Sequence, residues 1–306
     1  MDRRPVSDGW VGLDVGGTKV LADLVDDHGQ VLRSVRLSSR DGVEDAAGLE
    51  DVLSRALELV CDGARPRGVG VAAAGFVDAA GERVVFAPHL PWRDDAVRER
   101  LSTRWGLDVV LENDATCATW AEVEHGALAG VAQGVLVAVG TGIGGGVVVH
   151  GEVVRGAGGM AGEFGHTRVV PQGRPCPCGL RGCWEQYASG RALVARAGRA
   201  GERGGGVAEA ARAGDREAVA AFEEVGAWLG VGVANLVAVL DPEVVVVGGG
   251  VAEAGDLLLT PARRSLAEHL VGAGHRVTPP LVPAVHGEHA GTVGAVALAR
   301  RAAAAR

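Results

Sequence analysis

The sequence predicts a mixed α/β fold organised in two units, each with a sheet covered by helices. Three observations support this prediction. The chain has 306 residues, more than a typical domain of roughly 100–200 residues. It is 47% hydrophobic and 22% charged, so it can bury a sizeable core. Short apolar runs that end at glycines alternate with longer segments of helical periodicity, as in a mixed sheet packed against helices.

The first unit is predicted over residues 1–114. It begins with two strands, 10–15 and 19–25, which the Gly16-Gly17 turn joins into a hairpin. The remaining elements predicted here are strands near 31–37, 69–73 and 109–112 and helices at 43–61 and 94–105.

The second unit is predicted over residues 115–290. Two of its strands, 135–139 and 146–149, flank a second glycine-rich turn, and a buried strand at 243–247 ends in three glycines. Residues 160–190 show little periodicity and carry three of the five cysteines. Helices are predicted at 191–213 and 217–240, and a further alanine-rich helix at 291–306.

Charge and hydropathy exclude several classes of protein. The net charge is −8, so the chain has no basic surface for nucleic acid. The longest uncharged stretch, residues 125–151, is interrupted by glycines and does not predict a membrane helix. Residues 1–9 are polar and do not resemble an export signal. We therefore expect a cytoplasmic protein without a nucleic-acid or membrane partner.

The first hairpin turn is a candidate phosphate loop. Its residues are Asp14, Gly16, Gly17, Thr18 and Lys19. Glycines let backbone N–H groups approach phosphate, Thr18 and Lys19 can donate to it, and Asp14 can hold Mg²⁺ directly or through water. Lys19 is the only lysine of the chain, which favours a position that needs a compact ammonium group over chance retention. An ordinary hairpin without a ligand is the alternative.

Two further glycine clusters follow strands. The segment 140–146 contains a G-x-G-x-x-G pattern, but a strand rather than a helix follows it, which argues against a dinucleotide site. Three such turns favour a phosphate-binding cleft between two domains. The candidate nucleotide contacts in these clusters are Gly140, Thr141, Gly142, Gly144, Gly248, Gly249 and Gly250.

Asp114 follows the predicted strand 109–112 and precedes a helical pattern. A carboxylate at a strand end can act as a general base that takes a proton from an attacking hydroxyl. The competing interpretation is a helix N-cap, a common role for aspartate.

A metal site is the most specific chemical signal. His166 precedes the C-x-C-x₄-C segment formed by Cys176, Cys178 and Cys183. One imidazole and three thiolates form a closed tetrahedral set for structural Zn²⁺, whereas free or disulfide-linked thiols are the alternative. Cys61 and Cys117 lie in apolar helical patterns and are predicted to be core residues.

Two acidic residues border the cysteine segment. Glu163 precedes His166 by three positions and Glu185 follows Cys183 by two. Carboxylates, and the amide of Asn113, are suitable partners for sugar hydroxyls. Solvated surface acids are the alternative.

Together these motifs resemble the ROK family of sugar kinases and repressors, and within it the zinc-containing bacterial glucokinases. The resemblance spans nearly the whole chain. Because the first motif begins at residue 14, we expect no DNA-binding helix-turn-helix before it and therefore an enzyme. The motifs are 14-DVGGTK-19, 113-ND-114, 140-GTGIGGG-146, 162-GEFGH-166 and 176-CPCGLRGCWEQYASG-190.

The resemblance implies an actin-like (ribonuclease H-like) ATPase fold, with two domains around a cleft and the helix 291–306 returning to the first domain. It implies ATP-dependent phosphorylation of the glucose 6-hydroxyl with Asp114 as base, in a homodimer or homotetramer that uses ATP, Mg²⁺ and structural Zn²⁺. It also implies that His166 contacts the sugar while ligating zinc through its other nitrogen. The sugar contacts that it implies are Gly75, Asn113, Asp114, Glu163, His166 and Glu185.

Three other functions remain open from the sequence. The first is another ROK kinase, acting on N-acetylglucosamine, N-acetylmannosamine, mannose or fructose. The second is a polyphosphate-dependent glucokinase, because phosphate loops alone do not identify the donor. The third is a non-catalytic sugar sensor, which the presence of Asp14, Lys19 and Asp114 disfavours.

Overall fold

The computed structural model describes residues 9–41, 43–199 and 204–306. The polar segment 1–8 and part of the predicted helix 191–213 lie outside the described residues. The strands are β1 (Trp10–Val15), β2 (Lys19–Val25), β3 (Val31–Ser38), β4 (Val69–Ala73), β5 (Phe76–Val77), β6 (Val84–Phe86), β7 (Arg93–Asp95), β8 (Val109–Asn113), β9 (Gln133–Val139), β10 (Ile143–Val149), β11 (Glu152–Val153), β12 (Val244–Gly248) and β13 (Leu281–Pro283). The α-helices are α1 (Ala46–Cys61), α2 (Val97–Trp105), α3 (Asp114–His125), α4 (Glu185–Ala188), α5 (Gly190–Arg196), α6 (Gly204–Arg212), α7 (Arg216–Leu240), α8 (Asp256–His269) and α9 (Ala290–Ala304).

The chain forms two compact units. The first holds the described residues up to Ala129 together with Val153–Ala161 and His289–Arg306. The second holds Gly130–Glu152 and the described residues of Gly162–Glu288. Helix α3, which we assigned to the second unit from the sequence, lies in the first, where it packs against α9.

A five-stranded sheet in the order β3-β2-β1-β4-β8 forms the centre of the first unit. The predicted hairpin is present as the antiparallel pair β1–β2, and β1, β4 and β8 are parallel. Strand β1 has residues of both its faces buried, because α1 and α9 both pack on this sheet. Three parallel strands therefore end at the same edge.

A small antiparallel sheet, β5-β6-β7, was not predicted from the sequence. Its strands have two or three residues each, too few to show an alternating pattern. It also shortens a predicted helix. The segment 93–95 pairs with β6 as β7, so α2 begins at Val97 rather than at residue 94.

The second unit is centred on the sheet β11-β10-β9-β12-β13. Strands β9 and β10 form the second predicted hairpin, and β12 is parallel to β9. Helix α8 was not predicted. Helix α7 is long and apolar enough to cross a membrane by length and composition, but half of its most apolar window is buried inside the structure, as in a core helix.

Candidate active site

The carboxyl ends of β1, β4 and β8 bring one group of candidate residues together in the first unit. Val15, Ala73 and Asn113 occupy equivalent positions across the three parallel strands. Asp14 is therefore on the same sheet edge as Asp114, with the Gly75 turn between them. Such an edge is the usual ligand-binding side of an α/β sheet.

Asn113, and not Asp114, is the N-cap of α3. The Asn113 side chain accepts hydrogen bonds from the N–H groups of Ala115 and Thr116, at 2.9 and 3.0 Å. Its Nδ2 donates to the Gly75 carbonyl and to Asp114 Oδ1, each at 3.0 Å. The N-cap interpretation of Asp114 is therefore wrong: Asp114 occupies the first helical position.

The two aspartates at this edge both have raised pKa values. Burial, followed by the charge of Asp114, raises the pKa of Asp14 from 3.8 to about 7, although Lys19 acts in the opposite direction. Burial also raises the pKa of Asp114, against the N–H groups that donate to its carboxylate. Close carboxylates with raised pKa values are typical of sites that bind cations or transfer protons.

Neighbouring side chains hold the backbone of the first candidate phosphate loop in place. Ser39 Oγ donates to the Gly16 carbonyl at 2.7 Å, and Arg40 Nε donates to the Gly17 carbonyl at 2.6 Å. A Cβ on Gly17 would lie 2.5 Å from His89 Cβ, so this glycine is required by packing. The turn is therefore a supported structure, with its side chains Thr18 and Lys19 at the surface or partly buried.

An ion pair with a buried carboxylate lies directly before Asn113 and Asp114. Glu112 is 3% exposed, and its Oε2 is 2.6 Å from Arg155 Nε. Its Oε1 accepts a 2.8 Å hydrogen bond from the Asn113 N–H. Arg155 also donates to the backbone carbonyls of Asp78 and Ala79. The short segment 153–161 thus fixes the strand end that carries Asn113 and Asp114.

The second and third glycine clusters lie side by side in the second unit. The β9–β10 turn comprises Gly140–Gly142, and β12 ends at Gly248 opposite Ala138 of β9. Gly249 has a φ of 82°, and a Cβ there would lie 2.6 Å from the Val139 carbonyl oxygen. Gly250 has open space where a Cβ would be. Gly144, in contrast, lies within β10 rather than in the turn.

The two glycines of the GEFGH segment, Gly162 and Gly165, allow this segment to lie against strand β10. A Cβ on Gly162 would lie 2.2 Å from the Gly145 carbonyl oxygen, and one on Gly165 would lie 2.3 Å from that of Ile143. These close approaches hold Glu163 and His166 at fixed places beside the sheet.

The four predicted metal ligands converge. The ligand atoms of His166, Cys176, Cys178 and Cys183 all lie within 4.8 Å of one another. Cys178 Sγ and Cys183 Sγ are 3.7 Å apart, and Cys176 Sγ is 3.8 Å from His166 Nδ1. Thiolates on one tetrahedral zinc are separated by about 3.8 Å, so this set fits Zn²⁺.

The backbone around the cysteines explains their convergence. The Cys176 N–H donates to the Leu180 carbonyl at 2.9 Å, which closes a tight turn, and Gly179 has a φ of 90°. Gly182 has a φ of 78°, and a Cβ there would lie only 1.7 Å from the Val170 carbonyl oxygen. Cys61 and Cys117 are buried core residues, as predicted.

The acidic candidates lie next to the zinc ligands. His166 points Nδ1 towards Cys176 and Nε2 towards Glu163, whose Oε2 is 3.8 Å away. Glu185 is buried and not a solvated surface acid. Its Oε1 accepts hydrogen bonds from Gln186 Nε2 and Arg191 Nη2, both at 3.1 Å.

The sequence analysis did not identify three arginines that hold the candidate residues of the two units in place. Arg40 and Arg191 each donate to a carbonyl of a candidate loop, and Arg155 pairs with the Glu112 carboxylate next to Asn113. In a chain whose basic residues are nearly all arginines, none of the three is conspicuous. Only Arg40, close after the first turn, offered a positional signal.

Comparison with known proteins decides the family. The model of the ROK family matches residues 10–302. The chain belongs to the ROK family. The actin-like ATPase fold expected from the resemblance is confirmed, because solved ROK structures match this chain along nearly its whole length.

Several known glucokinases are similar to this chain. The glucokinase of Streptomyces coelicolor is 39% identical, over 95% of this chain and 97% of its own. That of Thermotoga maritima is 35% identical, over 94% of this chain and 96% of its own. The crystal structure of a ROK family glucokinase from Streptomyces griseus, in complex with glucose and AMPPNP, has a TM-score of 0.89 at 39% identity, covering 96% of this chain and 99% of that one.

Proposed function

We propose that this ROK protein is an ATP-dependent glucokinase that phosphorylates the 6-hydroxyl of glucose. Glucokinases that match along nearly their whole length support the reaction class and the sugar. The related structure that holds glucose and AMPPNP supports the pair of substrates. The observation that carries the proposal is the placement of Asp114 on the same sheet edge as Asp14 and the loop that ends in Lys19.

Asp114 is the general base in this proposal. Asn113 Nδ2 and the Ala115 N–H both donate to its Oδ1, which leaves Oδ2 to accept the proton of the sugar hydroxyl. The fixed carboxylate needs no reorganisation when the hydroxyl attacks phosphorus. Its raised pKa makes it a better proton acceptor, provided that the pH is high enough to keep it ionised.

The proposed sugar contacts form two groups, each within one unit. Asn113 and the Gly75 backbone, which hydrogen-bond to each other, are proposed contacts in the first unit. Glu163, His166 and Glu185 are the proposed contacts in the second. Carboxylates and an imidazole N–H can accept from and donate to several hydroxyls, which fixes the sugar's orientation.

The phosphate groups are bound by backbone and side-chain donors of the glycine turns. The donors are those of Gly16, Gly17, Thr18 and Lys19 in the first unit, and of Gly140, Thr141, Gly142, Gly144 and Gly248–Gly250 in the second. Mg²⁺ held by Asp14, directly or through water, supplies charge neutralisation for the transferred group. Bound Zn²⁺ supplies a structural cross-link, since its four protein ligands leave no position for water.

The remaining features of the proposal concern assembly and location. We propose a homodimer or homotetramer in the cytoplasm, without a nucleic-acid or membrane partner. The division into α/β domains at residues 1–114 and 115–290, made from the sequence, stays a prediction.

The test is phosphorylation of a hexose panel by purified, zinc-replete protein, with ATP and polyphosphate as alternative donors. Turnover on glucose with ATP, lost in Asp114→Asn, supports the proposal. Faster turnover on another hexose or an N-acetylhexosamine would change the substrate, and a preference for polyphosphate would change the donor. Measurable sugar binding without turnover on any sugar would indicate a sensor.

A further inference from the structure

We propose that Arg191 is a positioning residue that couples sugar binding to nucleotide binding in the second unit. This inference rests on the proposed function, because it takes Glu185 as a sugar contact and the Gly140–Gly142 turn as a phosphate contact. Arg191 acts through these groups and is not itself assigned to either substrate.

The guanidinium of Arg191 binds both candidate contacts at once. Its Nη2 donates to Glu185 Oε1 at 3.1 Å, and its Nε donates to the Thr141 carbonyl at 3.2 Å. The donors of a guanidinium are fixed in one plane, so the two acceptors are held in a defined relation to each other. A lysine ammonium has no such fixed fork.

Arg191 supplies the charged partner of Glu185, beside the neutral donors Gln186 Nε2 and Cys176 Sγ. The Glu185 side chain is only 8% exposed, and a buried carboxylate requires a paired charge or several donors. Its other oxygen, Oε2, lies against the turn: a Cβ on Gly142 would be 2.4 Å from it. The carboxylate and the glycine turn are therefore packed directly together.

Arg191 also determines the direction of a backbone donor. In a trans peptide the carbonyl of Thr141 and the N–H of Gly142 point in opposite directions. Holding that carbonyl therefore aims the Gly142 N–H away from the arginine. The Gly190 N–H, which donates to the Gly140 carbonyl at 2.8 Å, aims the Thr141 N–H in the same manner. Successive N–H groups of this kind are the donors that bind phosphate.

The two effects together predict a linkage between the substrates. Sugar bound to Glu185 holds the carboxylate, and Arg191 transmits that constraint to the turn. By linkage the coupling is reciprocal, so bound nucleotide must tighten sugar binding by the same factor.

The experiment compares Arg191→Ala and Arg191→Lys with Arg196→Ala. Arg196 is on the same helix, but it pairs with Glu224, and both side chains are substantially exposed, so its removal controls for loss of a surface arginine. Turnover of the unmodified protein on glucose tests the proposed function independently. Calorimetry then gives the affinity for AMPPNP with and without glucose, alongside kcat, both KM values, zinc content and Tm.

We expect glucose to tighten AMPPNP binding at least about fivefold in the unmodified protein and in Arg196→Ala. In Arg191→Ala this factor falls towards one, and kcat/KM falls about 10- to 100-fold at normal zinc content. Arg191→Lys keeps the charge but loses the Thr141 contact, so its coupling factor stays close to that of the alanine variant.

Three results would overturn the inference while leaving glucokinase activity intact. The first is no coupling in the unmodified protein. The second is normal coupling in Arg191→Lys, which would reduce the role to charge. The third is an Arg191→Ala variant that loses glucose affinity but keeps the coupling factor, which would make Arg191 a support for Glu185 alone. An unmodified protein that phosphorylates no hexose would instead refute the proposed function.

Discussion

The glycine turns of the two units have similar backbone arrangements, but the charged side chains beside them come from different parts of the chain. Each joins an antiparallel pair, β1–β2 in the first unit and β9–β10 in the second. In each, an arginine from outside the hairpin donates to a turn carbonyl: Arg40 Nε binds that of Gly17 at 2.6 Å, and Arg191 Nε binds that of Thr141 at 3.2 Å.

The difference lies in the side chains. Asp14 and Lys19 flank the first turn within its own hairpin. The turn Gly140–Gly142 has no titratable side chain, and the charges beside it, Glu185 and Arg191, come from a segment more than 40 residues later. The first turn therefore combines backbone donors with its own charges, whereas the second offers backbone donors that other elements orient. Changes to the two should have different effects.

The largest effect is expected at the base beside the first turn. Asp114→Asn should lower kcat about 10²- to 10⁴-fold and leave sugar affinity nearly unchanged, because the amide keeps the shape but cannot take the proton. Steady-state kinetics together with glucose titration of the variant measure the two quantities. Asp108→Asn, which alters an exposed carboxylate paired with Arg306, is the control. Near-normal turnover in Asp114→Asn would exclude Asp114 as the base.

Zinc removal should have the next largest effect, and it acts through the second unit. We expect chelation to unfold the 160–185 loop and abolish sugar binding, because His166 and three cysteines are held by the metal while Glu163 and Glu185 adjoin them. Glucose titration of zinc-free protein, with Mg²⁺ restored, measures this loss, and added Zn²⁺ should reverse it. Full activity in protein shown to be free of zinc would contradict the prediction.

Substitutions in the two turns should differ in how their effect on stability depends on pH. The pKa of Asp14 is about 7 in the folded chain against the ordinary 3.8, so the folded state retains a proton that the unfolded state releases. Stability from this group is therefore full at low pH and is lost as the pH rises through that interval. Asp14→Asn removes the effect: without Mg²⁺ or nucleotide, its Tm should exceed that of the parent by a few degrees at about pH 8 and not at about pH 4.

Thr141→Val is the matched variant for that measurement, since the second turn has no titrating group. Its Tm should differ from that of the parent by the same amount at both pH values. A pH-independent difference for Asp14→Asn would show that Asp14 titrates normally and would remove the electrostatic distinction between the turns.

How far apart in the sequence the residues of a feature lie explains how much of the site could be predicted. Features formed by residues that are close together could be predicted from the sequence: the first hairpin, the strand before Asp114 and the spacing of the zinc ligands. The sequence does not show whether Asn113 or Asp114 is the N-cap of α3, because both side chains suit the N-cap position and only the backbone geometry selects one. The Arg191–Thr141 contact joins residues 50 positions apart, and no local pattern encodes it. Helix α8 was missed in a sequence with a proline at position 261.

The smallest effect is expected for Arg40→Ala, which removes the support of the first turn only. The Arg40 hydrogen bond is exposed, Ser39 still holds the neighbouring Gly16 carbonyl, and Lys19 still supplies charge. One exposed hydrogen bond is worth about 1 kcal/mol, so the KM for ATP should rise about threefold to tenfold with kcat preserved. Arg191→Ala should lower kcat/KM more than Arg40→Ala does, because the second turn has no charged side chain of its own. If the Arg40 variant proved the more damaging of the two, the first turn would depend on carbonyl support as much as the second, and its own charges would matter less than the comparison implies.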